Sequence, residues 1–154
     1  MCAGNPSESL LNQLPYIQYI RYNGKIKTNY FIDNESFLDY KIVKFTLQPV
    51  VENAIFHGIE PKREAGDIKI GITEEEDCLI LYIEDDGVGI EKEDIQKILN
   101  TEKKNVNKGL SGIGIKNVDE RLKLFYGEEF GLSIDSVVGM YTRVNIKIPK
   151  IKDK

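Results

Sequence analysis

The stretch LQPVVENAIFHG (residues 47–58) combines an apolar helix face with an acid, an amide and the only histidine of the chain. At about 100° per residue, six residues form one apolar stripe: Leu47, Val50, Val51, Ala54, Ile55 and Gly58. Asn53 and His57 lie together on one flank of this stripe, and Glu52 and Phe56 lie on the other side. Boundary positions on an amphipathic helix would account for such residues. An amide oxygen is also a suitable Mg²⁺ ligand beside phosphate oxygens, and His57 could donate to a phosphate or to a backbone carbonyl.

A second polar motif, EDDGVGI (84–90), follows an apolar strand. Asp-Gly after a strand most often marks a turn. In Asp-x-Gly-x-Gly, however, Asp85 could accept a hydrogen bond from an exocyclic amine, and Gly87 and Gly89 would let the backbone approach a flat ring. A calcium loop would need Tyr82, inside the strand, as its first ligand, so that alternative fails.

A third motif, LSGIGIKN (110–117), places two glycines directly before a predicted helix. The free N–H groups at such a helix start can bind phosphate. The motif is not a dinucleotide fingerprint, because position 117 is Asn, and it is not a Walker loop, because no Gly-Lys-Ser/Thr follows.

The remaining pattern predicts an α+β fold in one domain of residues 10–150, with a disordered or non-native start at 1–9 and a tail at 151–154. We predict further helices and strands on either side of the 47–58 helix, which Gly58 and Pro61 are expected to end. The predicted helices are 8–21, which Pro15 interrupts or begins, 91–99 and 114–127. The predicted strands are 25–33, 67–73, 79–85, 131–137 and 141–149. On the 114–127 helix, the spacing predicts an apolar stripe of Ile115, Val118, Leu122 and Phe125. Residues 34–44 are predicted to connect, and the polar stretch 101–112 to be a mobile loop. Helices on one face of a mixed sheet are the expected arrangement.

Composition and charge argue against nucleic-acid binding, a cysteine metal site and a membrane-spanning segment. The net charge of −4 and the absence of a basic cluster argue against nucleic-acid binding. Cys2 and Cys78 have no metal-ligand spacing and are expected to be free thiols in a reducing cytosol. The longest apolar run, CLILYI (78–83), is too short to span a bilayer, and the first nine residues do not resemble a signal peptide.

In this order, the three motifs match the N, G1 and G2 boxes of the GHKL (Bergerat) ATP-binding fold, a two-layer α/β sandwich. The chain resembles the catalytic ATP-binding domain of two-component sensor histidine kinases. It is most similar to the LytS/YesM-like group in LQPVVENAIFHGIEPK, GIGIKNVDERLKLFYG, YTRVNIKIP and, at the entry to the domain, YIQYIRYNGKIK. The resemblance extends from about residue 10 to the end of the domain.

This resemblance implies a binding site for ATP and Mg²⁺. Asn53 would bind the metal and His57 a phosphate, and Asp85 would hold the adenine amino group with support from Thr142, directly or through water. The loop 100–111 would form a lid over ATP. Gly87 and Gly89 would border the adenine pocket, and the N–H groups around Gly112 and Gly114 would face the phosphates. Ile90 and Ile113, within the same motifs, are also expected to bind ATP.

The chain departs from the family pattern in four places. Asp86 replaces the usual Asn and adds a charge near the site, Leu110 replaces the first glycine of the longer G2 pattern, and Tyr141 replaces a glycine before Thr142. The predicted lid contains no phenylalanine, so the F box of other histidine kinases is absent. We therefore expect differences in lid behaviour and phosphate contacts, with the adenine site retained.

The resemblance implies a protein-histidine kinase that presents the γ-phosphate to a histidine on a separate dimerisation domain of the same parent protein. That parent would be dimeric and anchored in the bacterial cell membrane, with this domain in the cytoplasm and a response regulator as the indirect partner. A GHKL hydrolase and a module that binds a partner without turning over nucleotide are the alternatives. A hydrolase of this fold carries a glutamate one turn before the metal-binding Asn, and here that position is Pro49, whereas Glu52 is expected to point about 100° away from Asn53.

Overall fold

The structure, a computed structural model, describes residues 7–13, 26–100 and 113–151. Seven strands are present in these ranges: β1 Ser7–Ser9, β2 Ile26–Ile32, β3 Lys41–Val43, β4 Gly66–Glu75, β5 Cys78–Asp85, β6 Gly131–Val137 and β7 Tyr141–Pro149. Besides a helical stretch at residues 10–13, the α-helices are α1 Leu47–Asn53, α2 Lys92–Asn100 and α3 Ile113–Tyr126. None of the helices in these ranges has the length and apolar character needed to cross a membrane.

Five strands form a mixed sheet in the order β2-β4-β5-β7-β6. Only β2 and β4 are parallel, and the other neighbouring pairs are antiparallel. The alternation in β5 explains its two faces, because Leu79, Leu81 and Ile83 are buried whereas the residues between them are less so. The buried face packs against α1 and α3, as the predicted two-layer α+β sandwich requires.

The helix that contains the opening motif is longer and less regular than predicted. After α1 the chain continues through a π turn, Ala54–Ile59, and a 3-10 turn, Glu60–Lys62. Gly58 and Pro61 therefore do not end the helix, and the prediction was wrong on this point. Gly58 keeps a helical conformation inside the π turn, and Pro61 is tolerated because it lies in the first turn of the 3-10 segment. The end comes at Arg63, which has the left-handed φ of 59°.

The predicted apolar stripe of α3 is confirmed for Ile115, Val118 and Leu122, which are fully buried. Phe125 was expected on the same stripe but is 47% exposed. Its ring stands edge-on to Tyr126, and it is Tyr126 that packs against the core at this end of the helix. Gly127 ends α3, as predicted, with a φ of 121° and an N–H that donates to Lys123 O at 2.8 Å.

The N-terminal part differs from the prediction. Residues 7–9, expected to lie in a disordered start, form β1 and pair with β3, which was expected to be part of a connection. Helical structure begins at residue 10 rather than 8. Gln13 then links the two regions, because its amide donates to Val43 O at 3.0 Å and accepts from Leu47 N at 3.1 Å. Three-residue strands carry too little alternation to be recognised in a sequence.

Candidate functional site

Three polar side chains form a row across the inner face of the sheet, at the end of β5. Asp85 pairs with Thr142 in the β5–β7 register, and Thr142 pairs with Ser136 in the β7–β6 register. The neighbouring row on the same face is apolar, with Ile83 opposite Val144. Asp85 and Thr142 are each only 3% exposed. Buried polar groups in an otherwise apolar layer need specific partners, so we take this row as the first part of the candidate site.

The Asp85 carboxyl is perturbed by its surroundings. Burial raises its pKa to about 7, against an ordinary value of 3.8. The N–H of Gly87, which donates to Oδ1 at 2.9 Å, partly opposes this rise, and the charges of Asp86 and Glu84 add to it. Near neutral pH the carboxyl thus changes between a pure acceptor and a form that can donate.

The π turn and the loop after β5 contact each other backbone to backbone. A Cβ at Gly87 would lie 2.0 Å from Gly58 O, and a Cβ at Gly58 would lie 2.4 Å from Asp85 Oδ1. The N–H of Val88 donates to the same Gly58 carbonyl at 3.0 Å. Glycine is therefore required at both positions for this close approach. Gly58 was not among the predicted site residues, although its place directly after His57 was visible.

The same loop is fixed on its other side by the β6–β7 hairpin. The N–H of Ile90 donates to Ser136 Oγ at 2.8 Å, and the N–H of Gly139 donates to Val88 O at 2.7 Å. Gly89 has a φ of 76°, and a Cβ there would lie 2.5 Å from Val137 O. The predicted pocket residues Gly87, Gly89 and Ile90 thus lie beside the Asp85–Thr142 pair.

The additional carboxyl group of Asp86 has two partners of its own. One carboxylate oxygen accepts from Asp67 N at 2.9 Å, and the other lies 3.5 Å from Lys62 Nζ. Asp86 therefore links the end of β5 to the start of β4 and to the turn after α1.

A second group of predicted residues lies between α1 and the start of α3. Asn53, His57 and Gly114 line a cleft of about 160 Å³. Glu52 and Phe56, placed on the opposite flank by the helical wheel, line the same cleft, with Pro49 and Ile115. Both flanks reach it because the cleft spans the exposed side of the helix. Gly112 and residues 101–111 of the predicted lid lie outside the described residues, whereas Asn100 is the last residue of α2. Ile113 is the first residue of α3.

The oxygen donors of this cleft suit a metal only in the presence of phosphate. The described ranges contain no group of three or more His, Cys, Asp or Glu that could hold an ion by themselves. The cleft offers the amide of Asn53 and the carboxylate of Glu52, which accepts from Gln48 Nε2 at 3.2 Å. Mg²⁺ typically takes one or two protein oxygens and completes its shell with phosphates and water, so this donor set fits a nucleotide-bound Mg²⁺.

A mixed sheet with helices packed on one face defines an α/β sandwich, and its buried acid–hydroxyl pair, glycine loop and asparagine-bearing helix form a candidate nucleotide site. Residues 39–152 match the family of histidine kinase-, DNA gyrase B- and HSP90-like ATPases. The chain belongs to this family, and the fold predicted from its three motifs is confirmed.

Individual relatives show which members of this family the chain is similar to. The sensor histidine kinase YesM of Bacillus subtilis is 35% identical over 133 residues, which are 86% of this chain and 21% of that protein. BtsS of Escherichia coli K12, also a sensor histidine kinase, is 31% identical over 139 residues, 90% of this chain and 22% of the relative. The sensor protein LytS of Bacillus anthracis is 30% identical over 152 residues, 94% and 25% of the two chains. This chain spans about a fifth to a quarter of the length of these relatives.

Solved structures show the same fold. The catalytic domain of histidine kinase ThkA has a TM-score of 0.70 at 20% identity, covering 94% of this chain and 98% of that one. The mycobacterial sensor histidine kinase MprB has a TM-score of 0.66 at 13% identity, with coverage of 96% and 98%. The resemblance to the ATP-binding domains of sensor histidine kinases, including YesM and LytS, is confirmed.

Proposed function

We propose that this domain binds Mg·ATP and presents its γ-phosphate to a histidine on a separate domain, as the catalytic part of a sensor histidine kinase. The observation that carries the proposal is the contact of Gly58 with Asp85 and Gly87. It joins the helix that bears Asn53 to the strand that bears Asp85, so that one elongated ligand can contact both.

At the sheet, the ionised Asp85 accepts from the adenine amino group, and Thr142 supports this contact beside it. Guanine has a carbonyl in place of that amino group, and the carboxylate repels it. Gly87, Gly89 and Ile90 border the ring, because the loop backbone lies close to the pair without intervening side chains.

At the cleft, the amide oxygen of Asn53 binds Mg²⁺, and His57 contacts phosphate. The N–H groups of Ile113 and Gly114, at the start of α3, face the phosphates, where the positive end of the helix favours their charge. When bound, Mg²⁺ neutralises charge on the phosphate oxygens.

Transfer to histidine requires that water does not take the γ-phosphate first. Pro49 lines the cleft one turn before Asn53 and provides no base. A positioned general base is typically worth about 10²–10⁴ in rate, so hydrolysis by this domain should be very slow. The acceptor histidine belongs to another domain of a dimeric, membrane-anchored bacterial parent that passes the phosphoryl group to a response regulator.

Hydrolysis is the second candidate function, because the carboxylate of Glu52 lines the same cleft as Asn53. Rapid ATP turnover by this chain alone, abolished by Glu52→Gln, would establish the hydrolase and refute the kinase proposal. Slow turnover that is unchanged by Glu52→Gln is the result expected here.

Calorimetry of ATP binding with and without Mg²⁺ tests the proposal first. Tight, Mg-dependent binding is expected, and its absence would favour a module that only binds a partner. The second test adds the histidine-bearing segment of the parent protein and [γ-³²P]ATP. That segment should become labelled while the isolated domain does not, and failure to label it would contradict the kinase activity.

A further inference from the structure

The hydroxyl of Ser136 has three hydrogen-bond partners, and the proposed function gives this residue no role. Ser136 Oγ lies 2.8 Å from Ile90 N, 2.7 Å from Tyr141 O and 2.9 Å from Thr142 Oγ1. A hydroxyl has one donor hydrogen and two acceptor lone pairs. Three contacts therefore use its full capacity.

The directions of these hydrogen bonds follow from the partners. The Ile90 N–H can only donate, so Ser136 accepts from it. The Tyr141 carbonyl can only accept, so the single hydrogen of Ser136 must point towards it. In the remaining contact Ser136 has no hydrogen left, and Thr142 must be the donor.

This arrangement determines what Thr142 can offer to a ligand. The only hydroxyl hydrogen of Thr142 points to Ser136. On the side that faces Asp85, its neighbour on β5, the Thr142 oxygen therefore presents only lone pairs. An ionised Asp85 is likewise an acceptor only. The pair together suits a group that donates hydrogen bonds, such as an exocyclic amine.

We infer that Ser136 is a positioning residue that fixes Thr142 as a hydrogen-bond acceptor and thereby favours a 6-aminopurine over a 6-oxopurine. The inference rests on the proposed nucleotide site. Without the Ser136 oxygen, the hydrogen of Thr142 loses its acceptor and can turn towards the ligand. A carbonyl at the purine 6-position then finds a donor where it previously met only lone pairs.

The test compares the dissociation constants of Mg·ATP and Mg·ITP, which differ in having an amine or a carbonyl at the 6-position. Ser136→Ala should reduce the preference for ATP by roughly ten-fold, the effect expected when one buried hydrogen-bond acceptor can become a donor. Ser133→Ala is the matched control, because Ser133 is an exposed serine of the same strand whose side chain points to the other face. It should leave the preference unchanged.

A purely structural role for Ser136 would weaken both nucleotides equally, and that result would overturn the inference. Thr142→Val provides a second test that does not depend on the stability of Ser136→Ala. It should also reduce the preference for ATP, and adding Ser136→Ala to it should reduce the preference no further, because both act through one hydroxyl. An unchanged preference in Thr142→Val would refute the inference. If the unmodified chain binds neither nucleotide, the proposed function itself fails, which is a distinguishable result.

Discussion

The two ends of the candidate site are built in different ways. The sheet end, consisting of Asp85, Thr142 and Ser136, lies on three hydrogen-bonded strands, and its acid and threonine are nearly inaccessible. The helix end, consisting of Asn53, His57 and Gly114, lies on two helices around an open cleft, and His57 is exposed. A base needs to be recognised by fixed polar atoms, whereas phosphates must stay accessible to an acceptor. The difference in burial agrees with the proposal that the sheet end holds the base and the helix end holds the phosphates.

The largest effect is expected from Gly87→Ala, which disrupts the contact between the two ends. The new Cβ would lie 2.0 Å from the Gly58 carbonyl oxygen, and because that oxygen belongs to the backbone, the loop or the π turn must move. We expect a loss of about 3 kcal/mol in the free energy of unfolding, the upper part of the range for overpacking. Urea denaturation measures it, and an unchanged midpoint would show that the close contact is not required.

Asp85→Asn should have the next largest effect, on binding rather than on folding. Losing a hydrogen bond to a charged group costs about 1.5–3 kcal/mol, so the ATP dissociation constant should rise by roughly 10- to 100-fold and selectivity over GTP should disappear. Asp86→Asn is the matched control, since its carboxyl faces Asp67 and Lys62 instead. Calorimetry with both nucleotides measures this, and tight ATP binding by the Asp85 variant would place the base elsewhere.

Asn53→Ala tests the helix end alone. The Mg-dependent part of ATP affinity should fall by roughly ten-fold, as for one contact to a charged group, whereas adenosine binding should not change because adenosine lacks phosphates. Asn145→Ala, on the β7 strand away from the cleft, is the control. Equal losses for ATP and adenosine would instead indicate damage to the helix.

A pH dependence should distinguish the sheet end from the helix end. Adenosine affinity should rise as the pH increases through about 7, because Asp85 then becomes ionised. Stability should respond in the opposite direction, since the folded pKa is raised. The contribution of Asp85 to the free energy of unfolding is fully present below its pKa in the unfolded chain, near 4. It is lost as the pH rises through the folded-state pKa of about 7. Asp85→Asn should remove both dependences, and affinity that stays constant between pH 6 and 8 would contradict the raised pKa.

The smallest effect is expected from Gly114→Ala. A Cβ there would lie 3.7 Å from Pro49 Cβ, an ordinary contact. Within a helix, alanine in place of glycine should stabilise by about 0.4–1 kcal/mol when the conformation permits it. Thermal unfolding measures the change, and a destabilisation comparable to that of Gly87→Ala would mean that the two ends are equally tightly packed.

Sequence patterns predicted most of the fold because the elements concerned are long and periodic. The alternation in CLILYIED and the stripe through Ile115, Val118 and Leu122 depend only on which face is buried. The π turn could not be predicted in this way. Its residues AIFHGI are compatible with an α-helix, and their i→i+5 pattern accompanies contacts of Gly58 with distant residues.

The polar row shows the same limit at the candidate site. Asp85, Gly87 and Gly89 form a recognisable local motif. The role of Ser136 depends on the register of the β6–β7 hairpin, which pairs it with Thr142 across the intervening residues 137–141. The sequence patterns predict the two strands but not their alignment, so they do not show that Ser136 lies beside Thr142.

The contact at Gly58 also fixes a length. Asn53 and Gly58 are five residues apart on one continuous helical segment, which corresponds to a rise on the order of 7 Å, and Gly58 is held against Asp85. The segment therefore sets the distance between Asp85, the proposed partner of the base, and Asn53, the proposed metal ligand. One residue inserted between positions 53 and 58 would change the span and rotate Asn53 around the axis, although every side chain of the site would still be present.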